Sequence, residues 1–376
     1  MTPDDTHRFA QASAGPADGS SLRRELNMTP TDPMSTDFAV TECAPAQPVH
    51  PAGAGALEWM LGALRPWLSD PAVTEWCVYR PGEAFVERDR QWTRVAVPFA
   101  TFEWCVRLAK LVANATRQRV DAGAPLLSAG LPGGERVQFA LPPAAAPGHV
   151  AIAIRRPSAV ALTVQQMVAR GIFLRTRRGR LERPAVDAQL HAHLEAGEFA
   201  AFMGAAVLAR KNILVSGPTG SGKTTWTKAL IREIPAAERL ITIEDAAELA
   251  LDSHPNHVRL YYSKDGQGRS RVTPKELLEA CLRLRPDRIL LAELRSEEAF
   301  YYLRTVASGH PGSITSIHAG SCELAFEQLM LLVRQSPGGQ GLARRDIHAL
   351  VRRIVDVVIQ FAVEDGERYI SEIHFA

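Results

Sequence analysis

The stretch from Asn212 to Thr225, reading Asn-Ile-Leu-Val-Ser-Gly-Pro-Thr-Gly-Ser-Gly-Lys-Thr-Thr, constrains this chain more than any other. An apolar run, Ile213 to Val215, has the length and β-branched content of a buried parallel strand. The segment Gly217 to Thr224 fits G-x-x-x-x-G-K-[ST], and a helical pattern runs from Thr225 to Ile234. A strand that turns through glycines into a helix is a cradle for phosphate. Gly217, Gly220 and Gly222 allow backbone N–H groups to converge on a β-phosphate, with Pro218, Thr219 and Ser221 completing the loop between them. Lys223 is expected to reach the β- and γ-phosphates as a point charge, and the Thr224 hydroxyl to hold Mg²⁺. The helix entered through Thr225 points its positive end at the same phosphates, so ATP with Mg²⁺ is the expected ligand pair.

At 376 residues the chain has room for two cores, and a net charge of +2 gives no global field for a polyanion. Any nucleic-acid or membrane contact is therefore local. Five cysteines, at 43, 77, 105, 281 and 322, are scattered and lack C-x-x-C spacing, which predicts reduced thiols in the cytoplasm and no zinc site. The start, Met-Thr-Pro-Asp-Asp-Thr-His, has no basic segment followed by an apolar one, and no stretch approaches the ~18 apolar residues of a membrane span. Neither export by that route nor a membrane crossing is expected.

Residues 1–55, rich in Pro, Ala, Ser, Thr and Gly, are expected to be a disordered tail. A smaller α+β domain is expected over 56–160. It opens with a helix through Leu57, Met60, Leu61, Leu64 and Leu68, and continues with strands at 73–79 and 84–87. A helix capped by Thr101 and strands at 137–141 and 150–154 complete it. Residues 161–185 read as a basic linker with arginines at 175, 177, 178, 180 and 183; it is either a solvated connection or a contact with acidic lipid or nucleic acid. Over 186–376, strands at 240–243, 258–262, 289–291 and 313–317 alternate with helices, the mark of a parallel α/β sheet. Thr273-Pro-Lys-Glu276 is a capping box, Ser296 is expected to cap a helix that Gly309 stops, and a hairpin turning at Asp365-Gly366 is expected to close the chain.

Phosphoryl transfer to water needs a carboxylate near Mg²⁺ or the attacking water, at the carboxyl end of a strand. Glu293 follows the apolar strand Ile289–Ala292 and fits that place, as a metal ligand and catalytic group. Glu244 and Glu248 offer further carboxylates at the same sheet edge, and the sequence leaves open which of the three positions water. His318 leaves the strand 313–317 at that edge, placed to sense a γ-phosphate, whereas His310 in Gly-His-Pro-Gly reads as a turn residue.

Four segments in order now resemble a family. They are Gly-Pro-Thr-Gly-Ser-Gly-Lys-Thr-Thr; Ile-Thr-Ile-Glu-Asp-Ala-Ala-Glu-Leu (241–249); Leu-Arg-Pro-Asp-Arg-Ile-Leu-Leu-Ala-Glu-Leu-Arg (284–295); and Gly-His-Pro-Gly-Ser-Ile-Thr-Ser-Ile-His-Ala (309–319). They are similar to the Walker A, acidic box, Walker B and His box of the secretion (traffic) ATPases of type II and type IV secretion, in particular the conjugation-associated VirB-eleven branch. The likeness extends over about 57–376 through Tyr79–Glu83, Leu131–Arg136 and Ile154–Pro157. The resemblance implies a RecA-like P-loop NTPase domain behind the smaller α+β domain. It also implies a homohexameric ring at the cytoplasmic side of a secretion channel, working with its inner-membrane and cytoplasmic components and associated peripherally with the inner membrane. Nucleic acid enters only as a candidate cargo. Nucleotide is implied to lie between the two domains, with Arg136 and Arg155 reaching its phosphates. Ala292 stands where this branch usually has glycine. A ring-shaped nucleic-acid motor, a P-loop kinase and a nucleotide-gated docking platform are the competing readings. Salt-dependent nucleic-acid binding, phosphate transfer to a small acceptor and absent turnover are their respective marks.

Overall fold

The computed structural model describes residues 55–157, 162–176, 185–263 and 270–375. The expected tail and the densest part of the basic linker lie outside these residues.

The first domain is a six-stranded antiparallel sheet in the order β3-β2-β1-β6-β5-β4. Its strands are β1 (Val73–Val78), β2 (Glu83–Arg88), β3 (Gln91–Ala96), β4 (Leu126–Gly130), β5 (Arg136–Ala140) and β6 (Ala151–Arg155). Side chains alternate across each strand, so one face carries Trp76, Val78, Phe139, Ile152 and Ile154 against α3 (Phe102–Ala115). The Thr101 hydroxyl caps α3 as expected, accepting the Trp104 N–H. The opposite face carries the small Cys77, Ala140, Ala151 and Ala153, which belong to the core of the second domain. Two differences from expectation are local. The helix expected through Leu57 and Leu68 divides into α1 (Ala56–Gly62) and α2 (Arg65–Leu68), with Pro66 lacking the N–H a continuous helix needs. Strands β3 and β4 were not anticipated; both are sheet edges whose apolar residues, Trp92 and Val95 in β3 and the adjacent Leu126 and Leu127 in β4, do not alternate with polar ones. Within the expected linker a short helix, α4 (Val164–Ala169), forms behind a capping box of Thr163 and Gln166.

Helices α5 (Ala185–Glu195) and α6 (Phe199–Leu208) deliver the chain to β7 (Ile213–Ser216). Parallel strands β8 (Leu240–Glu244), β9 (His257–Tyr261) and β10 (Arg288–Leu291) form one ladder, in the order β10-β8-β9. Strands β11 (Ile314–Ile317), β7 and β12 (Val357–Glu364) form another, in which antiparallel β13 (Glu367–Phe375) pairs with β12. The ladders meet at β10 and β11. The Ser313 hydroxyl donates to the Ile289 carbonyl (2.6 Å), the Ser316 hydroxyl to the Ala292 carbonyl (2.8 Å), and the Leu294 N–H to the Ser316 carbonyl (2.8 Å). The result is the expected α/β domain. Asp365 and Gly366, with φ of 52° and 82°, make the expected hairpin turn. The Thr273 capping box opens α8 (Pro274–Cys281) as read. Ser296, in contrast, does not cap α9 (Glu298–Ala307): the Glu298 carboxylate accepts the N–H groups of Arg295 and Ser296 instead. Helices α10 (Cys322–Gln335) and α11 (Arg344–Ile354) cover the sheet before β12.

The domains join along β9. The Tyr79 hydroxyl donates to the Arg259 carbonyl (3.2 Å), the Tyr261 N–H to the Ala144 carbonyl (2.9 Å), and Arg285 pairs with the buried Glu87. No helix of the described residues is long and apolar enough to cross a membrane.

Candidate nucleotide site

Strand β7 is buried throughout and ends in Ser216, after which the backbone turns through three glycines with positive φ: Gly217 at 151°, Gly220 at 76° and Gly222 at 98°. A Cβ on Gly217 would stand 2.8 Å from Phe361 Cβ and 2.9 Å from Ser221 Oγ, so glycine is required there by space as well as by conformation. At Gly220 an added Cβ would meet nothing within 4 Å; the loop is open on that side. Gly222 is the N-cap of α7 (Lys223–Arg232), which begins two residues before the helix expected from Thr225. Thr224 and Thr225 sit exposed in its first turn. The side-chain hydroxyl of Ser221 is buried without a hydrogen-bond partner among the described residues. Such a cradle, with the positive end of a helix behind it, fits phosphate.

Lys223 is the buried charge of this cradle, at 8 % exposure. Its ammonium donates to the carbonyls of Gly217 (2.7 Å) and Pro218 (2.9 Å) and lies 3.3 Å from His318 Nδ1. Burial lowers its pKa, and the nearby Glu293 carboxylate works against that shift. His318 leaves the carboxyl end of β11, next to β7, and its Nε2 stands 2.7 Å from Glu293 Oε1. Glu293 Oε1 has no aligned hydrogen bond among the described residues. The other carboxylate oxygen of Glu293 accepts from Arg295, which also reaches Asp245 at 3.4 Å. A continuous line from Lys223 through His318 and Glu293 to Arg295 thus runs along the carboxyl edge of the sheet.

The two remaining carboxylates have different surroundings. Glu244, at the end of β8, is fully buried. It accepts from the Thr242 hydroxyl (2.7 Å), from the N–H groups of Glu248 (2.9 Å) and Leu249 (2.8 Å), and from Arg259 (3.2 and 3.4 Å). Its lone pairs are taken up in pinning the segment 245–249. Glu248 is exposed in that segment. Of the expected water-positioning acids, Glu293 alone is assembled with Lys223 and His318. Arg295 and Arg259, which hold Glu293 and Glu244, were not singled out from sequence. A charged residue inside the apolar strand β9 was the available signal for Arg259, because it needs a buried partner.

Arg136 and Arg155 are not brought to the phosphate loop within one chain. They are directly opposite each other on β5 and β6, both exposed, and line a cleft of about 880 Å³ with Gln118, Gln138, Arg283 and His310. Arg283 and His310 precede β10 and β11, so this cleft lies at the amino edge of the parallel sheet, and no residue of 217–225 lines it. Nucleotide lying between the two domains of one chain, touching both sets of residues, is therefore not what this geometry provides. Arg155 Nε instead stands 3.5 Å from Glu75 on β1. His310, read as a turn residue, is half-buried on the cleft, and burial lowers its pKa.

Mg²⁺ in phosphate sites is held by one or two side chains together with phosphate oxygens. The Thr224 hydroxyl, exposed in the first turn of α7, and the Glu293 carboxylate suit that donor set.

The sequence profile of the family described as "Type II/IV secretion system protein" matches residues 61–361. The chain is 45% identical over 327 residues to the type IV secretion system protein VirB11 of Brucella suis, covering 86% of this chain and 91% of that protein. It is 41% identical over 325 residues to protein VirB11 of Rhizobium radiobacter, covering 85% and 94%. The crystal structure of the Brucella suis VirB11 ATPase in complex with sulphate superposes with a TM-score of 0.81, covering 86% of this chain and 98% of that one. Together with the phosphate loop and its acid–histidine pair, these similarities place the chain in the type II/IV secretion family, in its VirB11 branch, as an ATP-hydrolysing enzyme of type IV secretion.

Proposed function

We propose that ATP binds with its β- and γ-phosphates over Gly217–Thr224, that Glu293 orients the attacking water, and that hydrolysis powers substrate export or assembly at the cytoplasmic side of a type IV secretion channel. The observation carrying this reading is the line Lys223–His318–Glu293, where a cation for phosphate and a carboxylate for water are joined through one imidazole. Thr224 and Glu293 would hold Mg²⁺, which would supply charge neutralisation for the transferring phosphoryl group. Lys223 exchanges its two carbonyl contacts for phosphate oxygens, a stronger charge-assisted pairing. Arg295 orients the Glu293 carboxylate, and His318 registers whether a γ-phosphate lies beside Lys223.

The same reading gives Arg136 and Arg155 work on a neighbouring copy. In a homohexameric ring the cleft they line faces the phosphate loop of the next subunit, so each site draws its arginines from another chain. Planar guanidinium forks suit the oxygens of a phosphoryl group in transfer, where they are worth ~10³-fold in rate. Contacts with inner-membrane and cytoplasmic channel components belong to the same proposal, as does peripheral attachment to the inner membrane.

Steady-state phosphate release tests the site. Lys223→Ala is expected to abolish ATP binding or turnover while the melting temperature stays close to wild type. Turnover near the wild-type rate in that variant overturns the assignment.

A further inference from the structure

The reading above accounts for the γ-phosphate end of the site and leaves the opposite end of the loop without a side-chain partner. On that side stands the hairpin of β12 and β13. Phe361 of β12 packs against Gly217, where an added Cβ would collide with it, and its ring meets Trp226 of α7 at 6.2 Å and 62°. The hairpin is thus fixed to the loop on the side away from β11. Arg368 lies on β13 opposite Val363, and its Cδ is 3.9 Å from the place a Cβ on Gly222 would occupy. Its exposed guanidinium forms no ion pair or hydrogen bond among the described residues, while the Glu364 carboxylate nearby accepts from the Tyr369 hydroxyl (2.9 Å). The side chain of an unneutralised arginine thus passes beside the N-cap of a helix that gathers anions.

Strand order gives the direction of the ligand. In the series β10, β11, β7, β12, β13, His318 and Glu293 end strands on one side of β7, and Arg368 belongs to the other. A nucleotide whose γ-phosphate meets Lys223 and Glu293 extends its remaining phosphates towards the hairpin. We infer that Arg368 pairs with the α-phosphate of the nucleotide bound to its own chain, and that it is a binding residue whose contact is the same in ground and transition states. This inference rests on the nucleotide site proposed above.

Because the contact is uniform, it alters affinity and leaves the chemical step unchanged. Equilibrium binding of ADP, ATP and inorganic tripolyphosphate to wild type, Arg368→Ala and Arg368→Lys tests it, alongside steady-state kinetics and a thermal melt. A charge-assisted phosphate contact corresponds to a loss of ~10-fold or more in affinity on truncation. Arg368→Ala is expected to show that loss for all three ligands, with KM raised by a similar factor and kcat within twofold of wild type; Arg368→Lys recovers part of it. Unchanged ADP affinity overturns the inference. Weakened ADP with unaltered tripolyphosphate transfers the contact to the nucleoside, and a loss confined to kcat transfers it to the γ-phosphate; either result overturns the α-phosphate assignment. Wild-type binding and hydrolysis verify the site itself, so an inert Arg368 variant counts against Arg368 alone.

Discussion

Glu244 and Glu293 end neighbouring strands, and their surroundings divide their work. Glu244 is buried and bonded on both oxygens, so Glu244→Gln sets an amide N–H against either the two backbone donors or the Arg259 guanidinium, and leaves Arg259 without its counter-charge. Breaking such a pair is expected to cost about 2 kcal/mol of stability or more, read in a denaturant melt. Glu293 is held by Arg295 and by an imidazole at the site's rim. Glu293→Gln is expected to bind ATP, melt like wild type and lose turnover by ~10²-fold or more. The reverse pattern, a folded but inactive Glu244→Gln beside an active Glu293→Gln, would exchange their roles. Sequence brought all three acids to one sheet edge, because strand ends are legible. It could not rank them, because ranking depends on burial and partners fifteen or more residues away, such as Arg259.

A third carboxylate contributes a pH dependence of stability of its own. Glu75 is 3 % exposed, and its Oε2 has no hydrogen-bond partner among the described residues. Burial pushes its pKa up to about 7, with Arg155 opposing the shift. The unfolded chain releases this proton near pH 4.5, the folded chain near 7, so the folded state binds the extra proton between them. Stability therefore falls as pH rises through that window, and the full cost is present above it. Glu75→Gln removes the titration. Its melting temperature relative to wild type is expected to rise between pH 5 and pH 8, and a difference that shrinks over that range contradicts the assignment.

At the level of elements, the phosphate loop was legible because its requirements are local: a buried strand, glycines at positive φ and a helix N-terminus within fourteen residues, Asn212 to Thr225. The caps at Thr101 and Thr273 were legible for the same reason. Edge strands β3 and β4 were not, since their pairing with β2 and β5 is carried by backbone and their side chains show no period. What the sequence motif does not show is that the loop leans on the C-terminal hairpin. Gly217→Ala is expected to damage the site through this contact, because its Cβ would collide with Phe361 and its φ of 151° suits only glycine. The measurement is ADP affinity, expected to fall ~10-fold or more beside a lowered melting temperature. Wild-type affinity in a fully stable Gly217→Ala protein would show that loop and hairpin are independent.

For the whole molecule, the two domains are joined so that the arginines of one face the wrong edge of the other. Arg136 and Arg155 were found by motif, but their placement opposite the phosphate loop depends on how the small-residue face of the first sheet docks beside β9. No local pattern encodes that docking. On the function proposed above, these arginines reach the phosphate loop of a neighbouring copy. Co-expression of Lys223→Ala with Arg155→Ala tests this most directly, with phosphate release measured on each protein alone and on the mixed assembly. Each variant alone is expected to be inactive, by loss of the phosphate cation or of the transition-state arginine. In mixed rings an intact loop from the Arg155→Ala copy meets an intact arginine from the Lys223→Ala copy, and the account predicts that hydrolysis returns to a measurable fraction of the wild-type rate. A mixed assembly as inactive as its two components would contradict it.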